Sequence, residues 1–474
     1  MAQLLKPDIC VIGAGSAGLS VAAAAAAFGV SVVLVEKGRM GGDCLNYGCV
    51  PSKALIAAAK RAHAVRGGGP GVAPAEPGID FRAVMRHVDA AIAAIAPNDS
   101  VERFTALGVK VVQAAAHFVD RRTVAAGDFE IRARRFVVAT GSSPLVPAIP
   151  GLDTVDYLTN ETMFGLTRRP GHLIIVGGGP IGMEMAQAFR RLGSQVTVIE
   201  AMSPLGKEDP EMSAPVLAAI QAEGVTIHPQ ARVTGVERRG KTGVKVDVVA
   251  EGRGFAVDGT HLLLAVGRKA NLEGLELARA GIAFDDGGVT VDARLRTRNR
   301  RVYAIGDVAG SLQFTHVANY HAGLVLRSIL FRLRAREDRS IIPRVTFTDP
   351  EIAHVGLGEE EARKAEGVIR VLRWPYAEND RARAEGRTVG HIKLVTGRKG
   401  RILGASIVGE GAGEMINMWS LAVSRRMGVR DIAGYVAPYP TASEIGKRAA
   451  ITYFVGTTRK PLVRRLLRFL RFFG

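Results

Sequence analysis

One short pattern occurs twice in this chain and restricts the fold more than any other feature. An apolar run enters a glycine-rich turn, a helical stretch follows, and a second apolar run ends on an acid. The first copy is residues 9–12, then Gly13, Gly15 and Gly18, an alanine-rich helix, and residues 32–35 closed by Glu36. The second is residues 173–176, then Gly177, Gly179 and Gly182, a helix through Phe189, and residues 196–199 closed by Glu200. In each copy the acid stands 23 residues after the first glycine. The first glycine permits a tight turn, the second lets backbone approach a pyrophosphate, and the third lets helix pack on strand. The helix N-terminus then faces the phosphates. A single such turn also occurs without a ligand, but two copies with matching strands and acids predict two dinucleotide sites.

The rest of the chain is organised around these units. Its 474 residues, 47% hydrophobic, suffice for several domains with sizeable cores. Residues 66–78 form a Gly/Pro-rich loop, and residues 81–107 read as helices interrupted at Pro97, an insertion within the first nucleotide fold. Pro144, Pro147 and Pro150 mark a linker, and residues 302–305 with Gly306 and Asp307 read as a return to the first domain. Beyond Pro343, strand-like segments at 392–395 and 402–408 precede further helices. The expected fold class is α/β: two Rossmann-like domains plus a C-terminal α+β domain. The expected boundaries are 1–150 and 271–342 for the first domain, 151–270 for the second, 343–458 for the third, and 459–474 for a basic tail.

Composition excludes several classes. No apolar run is long enough to span a bilayer, and the first residues lack the pattern of a signal peptide. Three cysteines are too few for a disulfide-stapled secreted scaffold, so a cytoplasmic location is expected. A formal net charge of +18 fits either solvated basic faces or attraction to an anionic surface. Arg459, Lys460, Arg464, Arg465, Arg468 and Arg471 crowd the final segment without an acid, whereas no nucleic-acid recognition motif accompanies the charge. As a helix, that segment places Leu462, Val463, Leu466, Leu467, Phe469, Leu470 and Phe473 opposite Arg464, Arg468 and Arg471. It reads either as a peripheral contact with the inner membrane face or as a helix packed on its own protein.

Immediately after the first nucleotide fold stands Gly41-Gly42-Asp43-Cys44-Leu45-Asn46-Tyr47-Gly48-Cys49-Val50-Pro51-Ser52-Lys53. On an ideal helix, cysteines five apart lie about 8.6 Å apart at Cα. A disulfide needs roughly 4.4–6.8 Å, so Gly48 and Pro51 are expected to distort the helix and bring the sulfurs together. Cys10, inside the first strand, reads as a core residue. With these motifs the chain resembles the class I pyridine nucleotide-disulfide oxidoreductases, most closely their mercuric reductase-like and dihydrolipoamide dehydrogenase-like branch. The resemblance implies FAD in the first site, NADH or NADPH in the second, and a homodimer. It implies that Cys49 sits against the flavin as a charge-transfer thiolate while Cys44 exchanges with substrate. It also pairs Lys53 with Glu184 beside the flavin, and assigns FAD contacts to Glu36, Thr140, Gly141 and Asp307. In the second site it makes Gly267 part of the nicotinamide-side turn. There Glu200 should accept a ribose 2′-hydroxyl and repel a 2′-phosphate, which favours NADH, although Lys207 or another nearby base leaves NADPH open.

One departure bears on the acceptor. Dihydrolipoamide dehydrogenases and glutathione reductases carry histidine where Tyr439 stands, oriented by the glutamate that matches Glu444. Tyrosine is a poor base at neutral pH, and the mercuric reductase branch places tyrosine here. That branch also carries a C-terminal cysteine pair and an amino-terminal metal-binding domain, and neither is seen in this sequence. The expected function is therefore electron transfer from NADH through FAD to Cys44 and Cys49, and on to a disulfide or another soft electrophile. Mercuric ion reduction, dihydrolipoamide oxidation and a membrane-docked electron donor to a partner or quinone are the alternatives. No resident metal is expected.

Overall fold

The computed structural model describes residues 2–473 apart from 242, 311 and 459. Residues 1–201 and 227–337 form one compact unit, and residues 202–226 and 338–474 a second.

In the first unit, the run at 9–12 becomes the centre of a parallel sheet ordered Val302–Ala304, Arg135–Val138, Ile9–Ile12, Val32–Glu36, Lys110–Gln113. Ile9, Cys10 and Val11 are wholly buried, as expected of a strand covered on both faces. The helices Ser16–Ala27 and Thr315–Leu330 cover one face. The other face is closed by a small sheet of Gln3–Leu5, Phe129–Ile131, Val124–Ala126 and Ala116–Phe118, with the Phe118 and Phe136 rings edge to face at 5.6 Å. A Cβ on Gly18 would fall 1.8 Å from the Gly13 carbonyl oxygen, so helix and strand approach more closely than any side chain permits. Gly182 and Gly177 repeat this contact at 2.0 Å.

The second copy forms the parallel strands Gln195–Ile199, His172–Val176 and His261–Leu264. The antiparallel strands Ala231–Arg239, Gly243–Ala250 and Arg253–Gly259 pack against them around Val246 and Leu262. The inserted helical region breaks where Pro97 stands: Phe81–Ile95 gives way to a 3₁₀ turn, Ala96–Asp99, and then to Val101–Ala106.

The second unit is built on an antiparallel sheet ordered Arg344–Thr346, Glu351–Gly356, Ile402–Gly409, His391–Thr396, Arg370–Pro375. The helices Ala412–Ser424 and Glu444–Thr452 pack against it around the buried Trp419. The helix Pro210–Ala222, which follows the second nucleotide turn in sequence, packs on this sheet. Lys393 of the sheet fixes its start there, with Nζ 2.7 Å from Asp209 and 2.9 Å from Glu211, and Glu359 of the helix Glu359–Glu366 adds a third carboxylate at 3.0 Å. Burial works against the lysine's charge, but the three acids together hold its pKa above the ordinary value. The segment expected as one domain, 151–270, is thereby divided between the two units. Among the described residues no helix is long and apolar enough to cross a membrane.

Candidate active site

The cysteine motif does not run as one helix. Gly42–Asn46 forms a short helix that carries Cys44, the chain leaves helical geometry at Tyr47 and Gly48, and Cys49 is the first residue of the long helix Cys49–Gly67. The break falls at Tyr47 and Gly48. Pro51, expected to share in it, sits in the first turn of the new helix, where its missing N–H costs nothing. A Cβ on Gly48 would lie 2.9 Å from Asp43 Oδ2 and 3.0 Å from the Asp43 carbonyl oxygen, so the turn closes only around glycine. The pair is present as free thiols, Cys44 half-buried and Cys49 exposed.

The two sulfurs are unequal. The Cys44 thiol hydrogen-bonds to Cys49 and lowers its pKa to about 6; Thr315 and the Lys53 charge act in the same direction, against partial desolvation and the charge of Asp43. The same contact, with burial, raises the pKa of Cys44. The first proton therefore leaves Cys49, and the second is held on Cys44. Thr315 Oγ1 stands 3.4 Å from Cys49 Sγ and opens the helix Thr315–Leu330. Cys49 thus lies near two helix N-termini, its own and that one, a setting that favours thiolate. Lys53 follows Cys49 by one turn, and its Nζ contacts Glu184 Oε2 at 2.8 Å, with the carboxylate almost fully buried. Lys53 and Glu184 therefore join the long helix Cys49–Gly67 to the nucleotide-turn helix Pro180–Arg191.

A polar network without a counterpart in the sequence reading braces this turn. Asn160 Nδ2 donates to Asp43 Oδ1 at 2.8 Å and to the Tyr47 carbonyl at 3.3 Å. Arg268 lies 3.1 Å from the same Asp43 oxygen, donates to Ser142 Oγ and O at 2.7 Å each, and approaches Asp307 at 3.9 Å. Ser142 Oγ donates to Asp307 Oδ2 at 2.6 Å. Burial nevertheless raises the Asp307 pKa, with Ser142 and Arg268 opposing it. The turn before Asp307 is held from behind: the Gly306 N–H donates to Nδ1 of the fully buried His321, whose Nε2 meets Glu337 at 2.9 Å. Thr140 Oγ1 donates to the Asn271 carbonyl at 2.8 Å, and the Gly141 carbonyl accepts from the Asn271 N–H at 3.0 Å.

Both nucleotide turns fit the groups expected of them. Gly13 and Gly177 adopt φ of +105° and +108°, and a Cβ on either would meet backbone at 2.4 Å. The helices Ser16–Ala27 and Pro180–Arg191 begin on Gly15 and Gly179 with no side-chain cap and no acid in the first turn. Natural helices usually fill that place with Ser, Thr, Asp or Asn; left bare, the N–H groups suit a pyrophosphate. A Cβ on Gly42 would lie 2.7 Å from Gly15 Cα, which brings the start of the cysteine motif against the first turn. Glu36 Oε2 accepts from the Ala14 N–H at 2.6 Å, and Glu200 Oε2 from the Gly178 N–H at 2.6 Å. The duplication seen in sequence is thus repeated atom for atom. Gly267, at φ +130°, faces open space.

Tyr439 and Glu444 belong to the second unit, whereas the residues above belong to the first. Glu444 does not orient the phenol within the chain. Tyr439 OH donates to Asp380 Oδ2 at 3.0 Å, while Glu444 pairs with Arg448 one turn along its helix at 2.9 Å. The hydrogen bond to Asp380 raises the Tyr439 pKa, which further weakens it as a base.

A dithiol at a helix break, a Lys–Glu pair one turn away and two bare glycine turns define a flavin- and nicotinamide-dependent dithiol–disulfide oxidoreductase. Residues 7–322 match the family described as pyridine nucleotide-disulphide oxidoreductase, and residues 342–450 match its dimerisation domain. The mercuric reductase of Streptomyces lividans is 37% identical over 94% of this chain and 96% of its own. A dihydrolipoyl dehydrogenase of Staphylococcus aureus is 35% identical over the same shares, 94% and 96%. Among solved structures, the Cu(II) complex of the HOCl-induced flavoprotein disulfide reductase RclA from Escherichia coli is similar with a TM-score of 0.83. It is 29% identical and covers 93% of this chain and 98% of that one. The chain belongs to the pyridine nucleotide-disulphide oxidoreductase family, and its cofactors are FAD and NAD(P)H.

Proposed function

We propose that this protein is an NADH-dependent reductase that delivers electrons through Cys44 to a soft electrophile, a thiophilic metal ion or a disulfide. The observation that carries the reading is the asymmetric dithiol: Cys49 with a pKa lowered to about 6 beside a Cys44 whose pKa is raised. Bound FAD would supply a two-electron carrier between the nicotinamide and the cysteine pair. Residues 1–150 and 271–342 would hold it, with Glu36 at its ribose and Asp307 at its ribityl chain, and Lys53 supplies positive charge nearby. Residues 151–270 would hold NADH, with Glu200 disfavouring a 2′-phosphate.

Toward a disulfide, Cys44 must first lose its proton. It then attacks one acceptor sulfur and releases the other as a thiolate. The Cys49 thiolate displaces the bound half and closes the Cys44–Cys49 bond, so two electrons leave the pair. The raised pKa of Cys44 makes the first step demanding, and Tyr439 is no substitute for imidazole. A soft metal ion displaces the thiol proton on binding, so the geometry favours a metal acceptor over lipoamide or glutathione disulfide. The mercuric reductase relatives and the copper complex of RclA agree with that preference. In a homodimer built on residues 343–458, the partner subunit's Tyr439 and Glu444 would complete the pocket at Cys44, Tyr439 as a hydrogen-bond donor. Residues 460–473 would add a peripheral contact with anionic lipid.

Steady-state NADH oxidation with Hg(II), Cu(II), lipoamide, glutathione disulfide and a quinone tests the assignment. The metal ions are expected to support turnover that Cys44→Ser abolishes. Quinone reduction that is fastest and indifferent to Cys44→Ser would overturn it.

A further inference from the structure

We infer that the C-terminal helix Pro461–Leu470 and the residues after it bind the surface of an anionic bilayer. The inference goes beyond the redox reading and stands independently of the acceptor. It rests on a pattern of charge, periodicity and exposure that nothing in the redox chemistry uses.

Lys460, Arg464, Arg465, Arg468 and Arg471 stand in residues 460–473 without an acid; Arg459, counted with them from sequence, lies outside the described residues. At about 100° per residue, Leu462, Val463, Leu466, Leu467, Phe469, Leu470 and Phe473 share an arc of roughly 160°, and the arginines occupy roughly 120° on the other side. A helix packed on its own protein would bury the first arc. Here Leu462 is 77% exposed, Leu466 56%, Phe469 58% and Phe473 75%, and only Val463 is half-buried. The helices Ala412–Ser424 and Glu444–Thr452 of the same unit each bury one apolar face, with Ile416 and Trp419 on the first and Ile445 and Ala449 on the second. The tail helix thus presents an apolar face that the described residues of its own chain leave uncovered.

Charge complementarity selects the occupant. A neutral apolar groove would take up the leucines and offer nothing to the exposed arginines, and an acidic patch would do the reverse. An anionic bilayer satisfies both at once: leucines and phenylalanines enter the headgroup–acyl boundary, while arginine stems run along them and raise their guanidinium groups to the phosphates. Ten helical residues reach about 15 Å, half of a bilayer's hydrocarbon thickness, so the helix lies in the plane of the surface and does not cross it. A homodimer carries two such helices, and two weak holds on one surface reinforce each other.

Co-sedimentation of the full-length, FAD-loaded protein with phosphatidylcholine vesicles, with and without about one-third phosphatidylglycerol, tests this. Binding is expected to be at least about tenfold greater with the anionic lipid, and to fall several-fold between about 0.1 and about 0.5 M salt. A chain ending at residue 458 should lose it. The pair Leu466→Gln and Leu470→Gln should lose it too while the charge of the tail is unchanged, which separates insertion from charge attraction alone. Light scattering and NADH oxidation in solution should be unchanged in both variants. Full binding by either variant would overturn the inference. So would dissociation of the shortened chain into monomers, which would make the tail a subunit contact instead.

Discussion

Replacing Cys44 by alanine or by serine asks what makes Cys49 acidic. The largest influence on Cys49 is the hydrogen bond from the Cys44 thiol. Serine keeps a donor at that position and alanine removes it. A hydrogen bond to a charged acceptor contributes about 1.5–3 kcal/mol. Because Cys49 is exposed, the lower end applies, about 1.5 kcal/mol or about one pKa unit. Cys44→Ala should therefore move the Cys49 midpoint from about 6 to about one unit higher, while Cys44→Ser leaves it within a few tenths. Thr315→Val, which deletes the hydroxyl 3.4 Å from the sulfur, should raise it by a smaller amount. The midpoint can be read from the pH dependence of iodoacetamide alkylation, or in the FAD-loaded protein from the long-wavelength thiolate–flavin absorbance. Identical midpoints for the alanine and serine variants would refute the reasoning and leave the helix N-termini as the source of the acidity.

Tyr439→Phe should lower acceptor turnover about fivefold, the worth of one hydrogen bond, while flavin reduction by NADH in stopped flow stays unchanged; an unaltered acceptor rate would reduce Tyr439 to packing. Tyr439→His should raise activity with dihydrolipoamide near neutral pH. Glu211 is held down to about 2 by its hydrogen bonds to Arg373 and then Lys393. Its folded pKa lies below the unfolded value, so its stabilisation is complete above about pH 4.5 and is lost as pH falls toward 2. Discounted for its partial exposure, the loss is about 2 kcal/mol; acid unfolding of Glu211→Gln should show a correspondingly shallower dependence over that window. Glu200→Ser should narrow the preference for NADH over NADPH by about tenfold in kcat/KM, and an unchanged ratio would place cofactor choice elsewhere.

The parts of the site that were legible in sequence are those where backbone geometry dictates residue type. Gly13, Gly18, Gly177 and Gly182 stand where a Cβ would strike a carbonyl, and Gly48 stands where the helix must break between two sulfurs. Such positions leave a mark that local pattern carries. The residues that tune and brace the site left no such mark. Thr315 reaches Cys49 across 266 residues, Asn160 reaches Asp43 across 117, and Arg268 reaches Ser142 across 126. Each is an ordinary polar residue until the chain is folded. The His321–Glu337 pair is similarly silent: the same helix also carries His316, Asn319 and Arg327, and Glu337 stands beside Asp338, so pattern singles out neither residue. In the second unit the buried strands Ile402–Gly409 and His391–Thr396 announced themselves by apolar runs at 402–408 and 392–395. The edge strand Arg370–Pro375, with arginine at two positions and proline at its end, did not. Helix Pro210–Ala222 was assigned to its neighbours in sequence because the contacts that show where it packs, Lys393 with Asp209 and Glu211 and Arg373 with Glu211, form only on folding.

The central claim is that two electrons come to rest on an unequal pair, with Cys49 as the thiolate and Cys44 as its donor. Anaerobic titration of the FAD-loaded protein with NADH measures this directly. One equivalent of NADH per subunit should produce a long-wavelength thiolate-to-flavin band and two free thiols. The band should persist in Cys44→Ser and vanish in Cys49→Ser. Full bleaching of the flavin by that first equivalent, with no long-wavelength band and no change in thiol count, would show that the pair takes no electrons and would contradict the account.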